Sequence, residues 1–541
     1  MLTRDHLRTT RLMSRRGLLG AGAALASLPW LGACARKGVG GKLLHYGIAT
    51  DPTTLTSAFT SAGIASMLSP KLFDGLLSYT RDLEPLPRLA REWSLTSSDR
   101  TLTLKLQPGV RWHDGKDFTS GDVAFSALQV WKKYHSRGRM TYAHLSGVDT
   151  PDPLTAILRF DTPAPYVIRA LSAFESQVVP RHLYEGRDVL TNPANVKPVG
   201  SGPFRFAAWE RGQYIRFERN PDYWDRGQGS ESRPYLDGII FRLMQDPAAQ
   251  AAALETGELH FAQDIAIGDY ERLAKLPNLR VDDRTFPLTT GGNGLEFNLD
   301  LPKFQDVRVR RAIAHAVDKA FIHEKIHLGN GLVDTGPISE IYENFYTPDV
   351  PQYPFDPARA MALLDEAGVT PDAKGVRMSF RLDPTPSGTN SKVAEYVRSA
   401  LAQVGIDVQL QNQDFATFVK RVYTDRDFEV IVAGGQMGPD PVIGMQRFYW
   451  SKSFKPGVAF SNASHYHSAE ADRLLEAAQV ETDPARRRKL YGDFQRVAMT
   501  DLPRIPLWTS SGKLHYSAKV SSLPDTGYGS YDNFADLRLA D

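Results

Sequence analysis

Two histidines four residues apart with a glutamate between them, His323-Glu324-Lys325-Ile326-His327, form the sharpest catalytic signature in the chain. On a helix the pair falls on one face and can hold zinc, while the glutamate serves as base toward a zinc-bound water. The flanks argue against that chemistry. Leu328-Gly329-Asn330-Gly331 stops the helix directly after the second histidine, and no acid or histidine at zincin spacing supplies an evident third ligand. The stretch reads as a solvated helix end, with a zinc peptidase as the remote alternative. Ser510-Ser511-Gly512-Lys513 has the Ser-x-x-Lys spacing of serine acyltransferases without recognisable partner motifs. There is no Walker A loop, so a nucleotide-driven step belongs to another chain. No resident metal or cofactor is expected.

The elements that would position any site belong to a long chain. Its 541 residues are several times a typical domain length, so more than one domain is expected. Hydrophobic residues make up 42% and charged residues 23%, which excludes a disordered or multi-span membrane chain. Residues 1–33 carry five arginines against one aspartate, and the remainder has 59 basic against 61 acidic residues. A body without basic excess has nothing to grip a phosphate backbone, so no nucleic-acid partner is expected. Ser14-Arg15-Arg16-Gly17-Leu18-Leu19 before the weakly apolar Gly17–Pro29 run looks like a twin-arginine export signal. Leu31-Gly32-Ala33-Cys34 resembles a lipobox, with Cys34 the lipidated residue; cleavage at Ala33-Cys34-Ala35 is the competing reading. Residues 1–35 are set aside as an address. Cys34 is the single cysteine, which excludes a disulfide framework within one chain.

In the remaining chain, Leu43–Ala49, Leu102–Leu106 and Thr155–Phe160 read as strands, and Ala65–Leu77 as a helix. Thr119 or Ser120 caps a helix running to about Lys133, and Phe204–Trp209 and Tyr214–Glu218 form a hairpin around Arg211-Gly212. From Gly294 onward, strands (Gly294–Leu299, Met378–Leu382, Asp407–Gln411, Phe428–Val432) alternate with helices, including one long helix over Val307–His327. That alternation predicts an α/β fold with largely parallel pairing.

Four segments carry a family resemblance, in order along the chain. They are Ala90-Arg91-Glu92-Trp93 with Pro108–Val123; Gly202-Pro203-Phe204 with Arg219–Trp224; Asp306–Asp318; and Phe355–Gly368. Together they resemble the solute-binding component of bacterial peptide/nickel (dipeptide/oligopeptide) ABC importers, family 5. The resemblance implies a class II periplasmic-binding-protein fold with two lobes around a ligand cleft and a hinge. Lobe one would hold 41–286 and 507–541, with an extra subdomain at about 82–199, and lobe two 287–506. It further implies an extracytoplasmic, monomeric receptor, held to a membrane by the lipid if Cys34 carries one. The receptor would capture a short peptide or peptide-sized polar solute and dock on an ABC permease pair served by ATPase subunits. An opine or sugar conjugate, an oligosaccharide or a chelated metal are the alternative ligands, and a sensing receptor without transport is the alternative role.

Cleft contacts are expected where strands end in glycine-rich turns, above all in Ala433–Pro441, because glycine lets backbone groups approach a ligand closely. Gln436, Met437, Gly438 and Asp440 are the candidates there. In peptide-binding relatives the corresponding loop holds an acid that pairs with the peptide ammonium. Gln436 or Met437 stands in that place here, which speaks against a free-amine peptide and leaves Asp440 as the one nearby carboxylate. The other candidates are Ser61 and Gly63, Asn298, Arg381 and Asp383, Arg447, and Trp508, whose ring could stack on a solute.

Overall fold

The computed structural model describes residues 42–540, except 97, 228–231, 285, 387 and 511–512. The expected export signal and Cys34 lie outside the described residues, as do Ser511 and Gly512 of the Ser-x-x-Lys stretch. From Lys42 onward the chain forms one compact unit. Among the described residues its strands form a seven-stranded sheet, a six-stranded sheet, a four-stranded sheet and two short pairs.

The seven-stranded sheet grows from Leu43–Ile48, whose inward residues Leu44, Tyr46 and Ile48 are fully buried. Tyr46 stacks on Phe261 at 5.3 Å between ring centroids. Leu43–Ile48 runs parallel to both neighbours, Gly238–Leu243 and Phe261–Ala262. The hairpin of Phe204–Glu210 and Tyr214–Arg219 continues the sheet, and its turn needs glycine at Gly212, where φ is +75°. On the other side, Leu514–Ser517 and Leu279–Asp282 complete it.

The four-stranded sheet, Ala90–Leu95, Thr101–Leu106, Thr155–Phe160 and Leu145–Asp152, is an extra layer that shares one hydrophobic core with the large sheet. Asp122 anchors the helix beginning at Ser120, accepting the Thr119 N–H at 2.9 Å and the Arg181 N–H at 2.8 Å. His113 ties this region to the large-sheet core. Its Nδ1 accepts the Gly200 N–H at 3.0 Å, so its Nε2 carries the proton and donates to the Gly202 carbonyl at 3.0 Å. Gly200 has to be glycine because a Cβ there would sit 1.8 Å from the Leu72 oxygen.

The six-stranded sheet has the order Leu332–Val333, Arg504–Thr509, Gly291–Phe297, Val430–Gln436, Met378–Pro384, Ile406–Leu410. The helix Asn390–Ala402 is the crossover that lets Met378–Pro384 and Ile406–Leu410 run parallel. The chain leaves the seven-stranded sheet after Asp282 and enters the six-stranded sheet at Gly291; it leaves the latter after Thr509 and rejoins the former at Leu514. These passages are laced together where the Ser510 N–H donates to the Gly291 carbonyl at 3.0 Å.

Three expectations are corrected. Pairing in the two large sheets is mostly antiparallel: only Leu43–Ile48 and Met378–Pro384 are parallel to both neighbours, because other strands arrive through hairpins or from the opposite lobe. The long helix over Val307–His327 is broken. Val307–Ala316 ends at an extended Val317, and Asp318 caps a new turn by accepting from the Ala320 and Phe321 N–H groups before a wide turn, Ile322–Ile326. The boundary expected at 507 falls inside Arg504–Thr509, whose partners both lie in the six-stranded sheet.

Burial depresses two histidines of the first lobe, His113 to about 4 and His135 to about 3; His135 uses Nδ1 to accept the Gly138 N–H at 2.8 Å. Between about pH 4 and 6.5 the unfolded chain therefore binds more protons than the folded one. Stability from this source is complete above pH 6.5 and is lost as pH falls toward 4, by roughly 2–3 kcal/mol per histidine. Urea melts from pH 7 to 4.5 should show the loss, and His113→Asn should show a shallower dependence on pH.

Candidate functional site

Val430–Gln436 does not stop before its glycines. It runs through Gly434 and Gly435 because Gly291–Phe297 pairs with it to the last residue, Gly291 opposite Gln436. The chain then turns at Gly438, φ +70°, and doubles back so tightly that a Cβ on Gly444 would lie 1.7 Å from the Met437 oxygen. Within this loop Asp440 is fully buried. Its carboxylate takes both Arg487 Nη groups at 2.7 Å, and its Oδ1 also accepts the Val442 N–H at 3.1 Å. Arg169, from the other lobe, comes within 3.9 Å of it. Asp440 is thus a brace for the loop and is not open to a ligand amine, contrary to expectation. The brace presents Val442 and Ile443, which are fully buried in the core cluster of lobe one.

Beside this insertion lies a second inter-lobe contact. Arg137, 2% exposed, meets Glu175 at 2.8 Å and donates to Gln436 Oε1 at 3.3 Å. Burial raises the Glu175 carboxyl, with Arg137 opposing that rise. Arg447 donates to the carbonyls of Phe460, Gly444 and Gln436. Between these groups is a cleft of about 260 Å³ walled by both lobes: Ser61, Arg137 and Arg139 on one side, Arg447, Trp450 and Lys455 on the other. Wider hollows of about 440 and 580 Å³ are open grooves on lobe one alone.

Of the expected site residues, Ser61 and Arg447 line this cleft, and Gln436 reaches it through Arg137. Ser61 is itself bonded to Ser136, Oγ to Oγ at 2.8 Å. Gly63 starts the exposed end of the helix Gly63–Leu72. Met437 packs against Gly292 and borders only a water-sized gap of about 30 Å³, and Gly438 serves the turn. The others are structural. Asn298 lies past the far end of its strand, bonded to Phe428 and Arg426. Arg381 pairs with Asp427 and Asp383 with Arg421. Trp508 is buried in the lobe-two core with the His327 ring edge-on at 4.7 Å. That contact also places His327, whose Nε2 meets Thr389 Oγ1 at 3.1 Å and which burial holds at about 4. Among the described residues no three His, Cys, Asp or Glu side chains gather as a metal site. Arg137, Arg139, Trp450 and Lys455 were not anticipated. The signal available was the run Ser136-Arg137-Gly138-Arg139 and the aromatic–basic interleaving of Trp450-Ser451-Lys452-Ser453-Phe454-Lys455.

Asp440→Ala leaves Arg487 buried without a counter-charge and should cost about 3–5 kcal/mol of folding free energy. Guanidinium melts measure this, and a variant as stable as the parent would mean that the pair does not hold the loop.

The family of bacterial extracellular solute-binding proteins, family 5, matches residues 84–457. A provisionally named ABC transporter peptide-binding protein of Brucella ovis is 30% identical over 453 residues, 81% of this chain and 82% of that protein. The oligopeptide-binding protein AppA of Bacillus subtilis is 27% identical over 480 residues, covering 86% and 85%. Its structure with a nonapeptide superposes with a TM-score of 0.81 over 92% of this chain and 99% of its own, at 25% identity. NikZ of Campylobacter jejuni, solved with Ni(L-His), shares the fold at a TM-score of 0.81 and 21% identity, over 92% of this chain and 99% of its own. The architecture is the two-lobed periplasmic-binding-protein fold, and with a match across more than half its length the chain belongs to the bacterial extracellular solute-binding proteins, family 5.

Proposed function

We propose that this protein captures a short peptide or peptide-sized polar solute between its lobes and delivers it to an ABC importer of two permeases and their ATPases. The observation that carries this reading is the cleft walled by both lobes next to the inserted Val442-Ile443 pair. A solute held there touches both walls at once only when the lobes are closed, so its binding energy favours closure. Relatives named for peptide binding, AppA among them, support a peptide-sized ligand. Saturating solute should compact the protein in small-angle scattering. At about 100 times Kd it should also stabilise the fold by about 2.7 kcal/mol. An unchanged radius of gyration at saturation would contradict capture by closure.

We also propose that the protein is exported through the twin-arginine route and tethered through Cys34. The support is the Arg15-Arg16 pair and the small-residue run ending at Cys34, in a chain whose described helices include none long and apolar enough to cross a membrane. Cell fractionation should show the parent with membranes and Cys34→Ala in the soluble fraction. A parent protein found soluble with Arg36 as its first residue would refute the tether.

A further inference from the structure

We infer that the solute held in the inter-lobe cleft is an anion, a small molecule rich in carboxylate or phosphate oxygens and lacking a free ammonium group. This deepens the capture reading and rests on it. The cleft walls carry five cationic side chains, Arg137, Arg139, Arg447, Lys452 and Lys455, and no acidic one. Lys452 is matched by Glu476 and Arg137 by Glu175. For Arg139, Arg447 and Lys455 no carboxylate lies within ion-pair distance among the described residues.

Arg447 is the most telling of these. It is only 9% exposed, and its guanidinium is satisfied by three carbonyl oxygens that take its hydrogens but supply no counter-charge. Burial first, and then the nearby charge of Arg137, pull it down to about 9 against the opposing charge of Glu175, so two buried guanidiniums share a single carboxylate. The Nε–H of the buried Arg137 finds no acceptor among the described residues. Two buried cations sharing one carboxylate leave an excess positive charge that is costly, and an incoming oxyanion removes that cost. The planar guanidinium fork also matches the spacing of carboxylate and phosphate oxygens.

A cationic or zwitterionic solute meets the opposite situation. Glu175 is taken by Arg137, and Asp440 by Arg487 with Arg169 behind it. A ligand ammonium would therefore enter a positive field with no free carboxylate to receive it. Trp450 and Phe460 on the lobe-two wall offer apolar faces for the body of the solute.

Titration calorimetry in phosphate-free buffer with four probes tests this. N-acetyl-Ala-Glu carries two carboxylates, N-acetyl-phosphoserine amide carries a phosphate, Ala-Ala is a zwitterion and Ala-Ala amide a cation. At least one of the two anions should bind ten or more times tighter than Ala-Ala, and weaken as salt rises; which one binds tighter identifies the oxyanion. The double variant Arg139→Gln, Lys455→Gln changes two rim side chains and should weaken the anions about tenfold without moving the thermal midpoint. Ala-Ala or Ala-Ala amide binding as tightly as the anions, or anion affinity unchanged in the double variant, overturns the inference and leaves solute capture standing. Silence from all four probes also overturns it, while compaction on adding a solute that native mass spectrometry finds co-purified would still uphold capture.

Discussion

Everything about the cleft depends on two aliphatic side chains of lobe two lying in the hydrophobic core of lobe one. Val442 and Ile443 are fully buried there, and removing them to water would cost on the order of 3–6 kcal/mol together. A segment this short cannot hold such a position by itself. It does so because Asp440, two residues earlier, is clamped by Arg487 from the helix Pro484–Asp501 and caps the Val442 amide. The tight return at Gly444 brings Arg447 back to bond the carbonyls of Gly444 and Gln436. One buried ion pair, one glycine return and one arginine thus set how closely the two walls approach and which side chains face the solute.

Local signals in the chain were readable where the physics is local. Gly109, Gly115 and Gly212 all take positive φ at turns that their Pro-Gly, Asp-Gly and Arg-Gly neighbours announce. Asp122, in the first turn of its helix, does bond back to Thr119. The break before Asp318 was also written in the sequence, as an aspartate ahead of a helical turn, but the apolar periodicity of Ala312–Ala320 masked it. Strand direction was not readable, because it depends on which lobe a strand joins after each passage.

The binding surface was the least legible part. Asp440 and Arg487 stand 47 residues apart, and Arg137 and Gln436 stand 299 apart, so neither pairing leaves a trace in local spacing. Trp508 and Asn298 have side chains suited to a ligand, yet tertiary neighbours claim both. Arg139 and Lys455 would look like ordinary solvated charges until the two lobes bring them to one cleft.

The two passages between lobes have a mechanical consequence. They are not independent threads: Ser510 is hydrogen-bonded to Gly291, and Thr509 lies opposite Gly292, so both meet the six-stranded sheet at one paired edge. A paired edge bends easily about the line across its width and resists shear in its plane. A swing about that line is the motion between the lobes that this pairing opposes least. The stiffness of that swing is set at residues that never meet the solute, so the speed of the stroke and the strength of the grip can be varied separately.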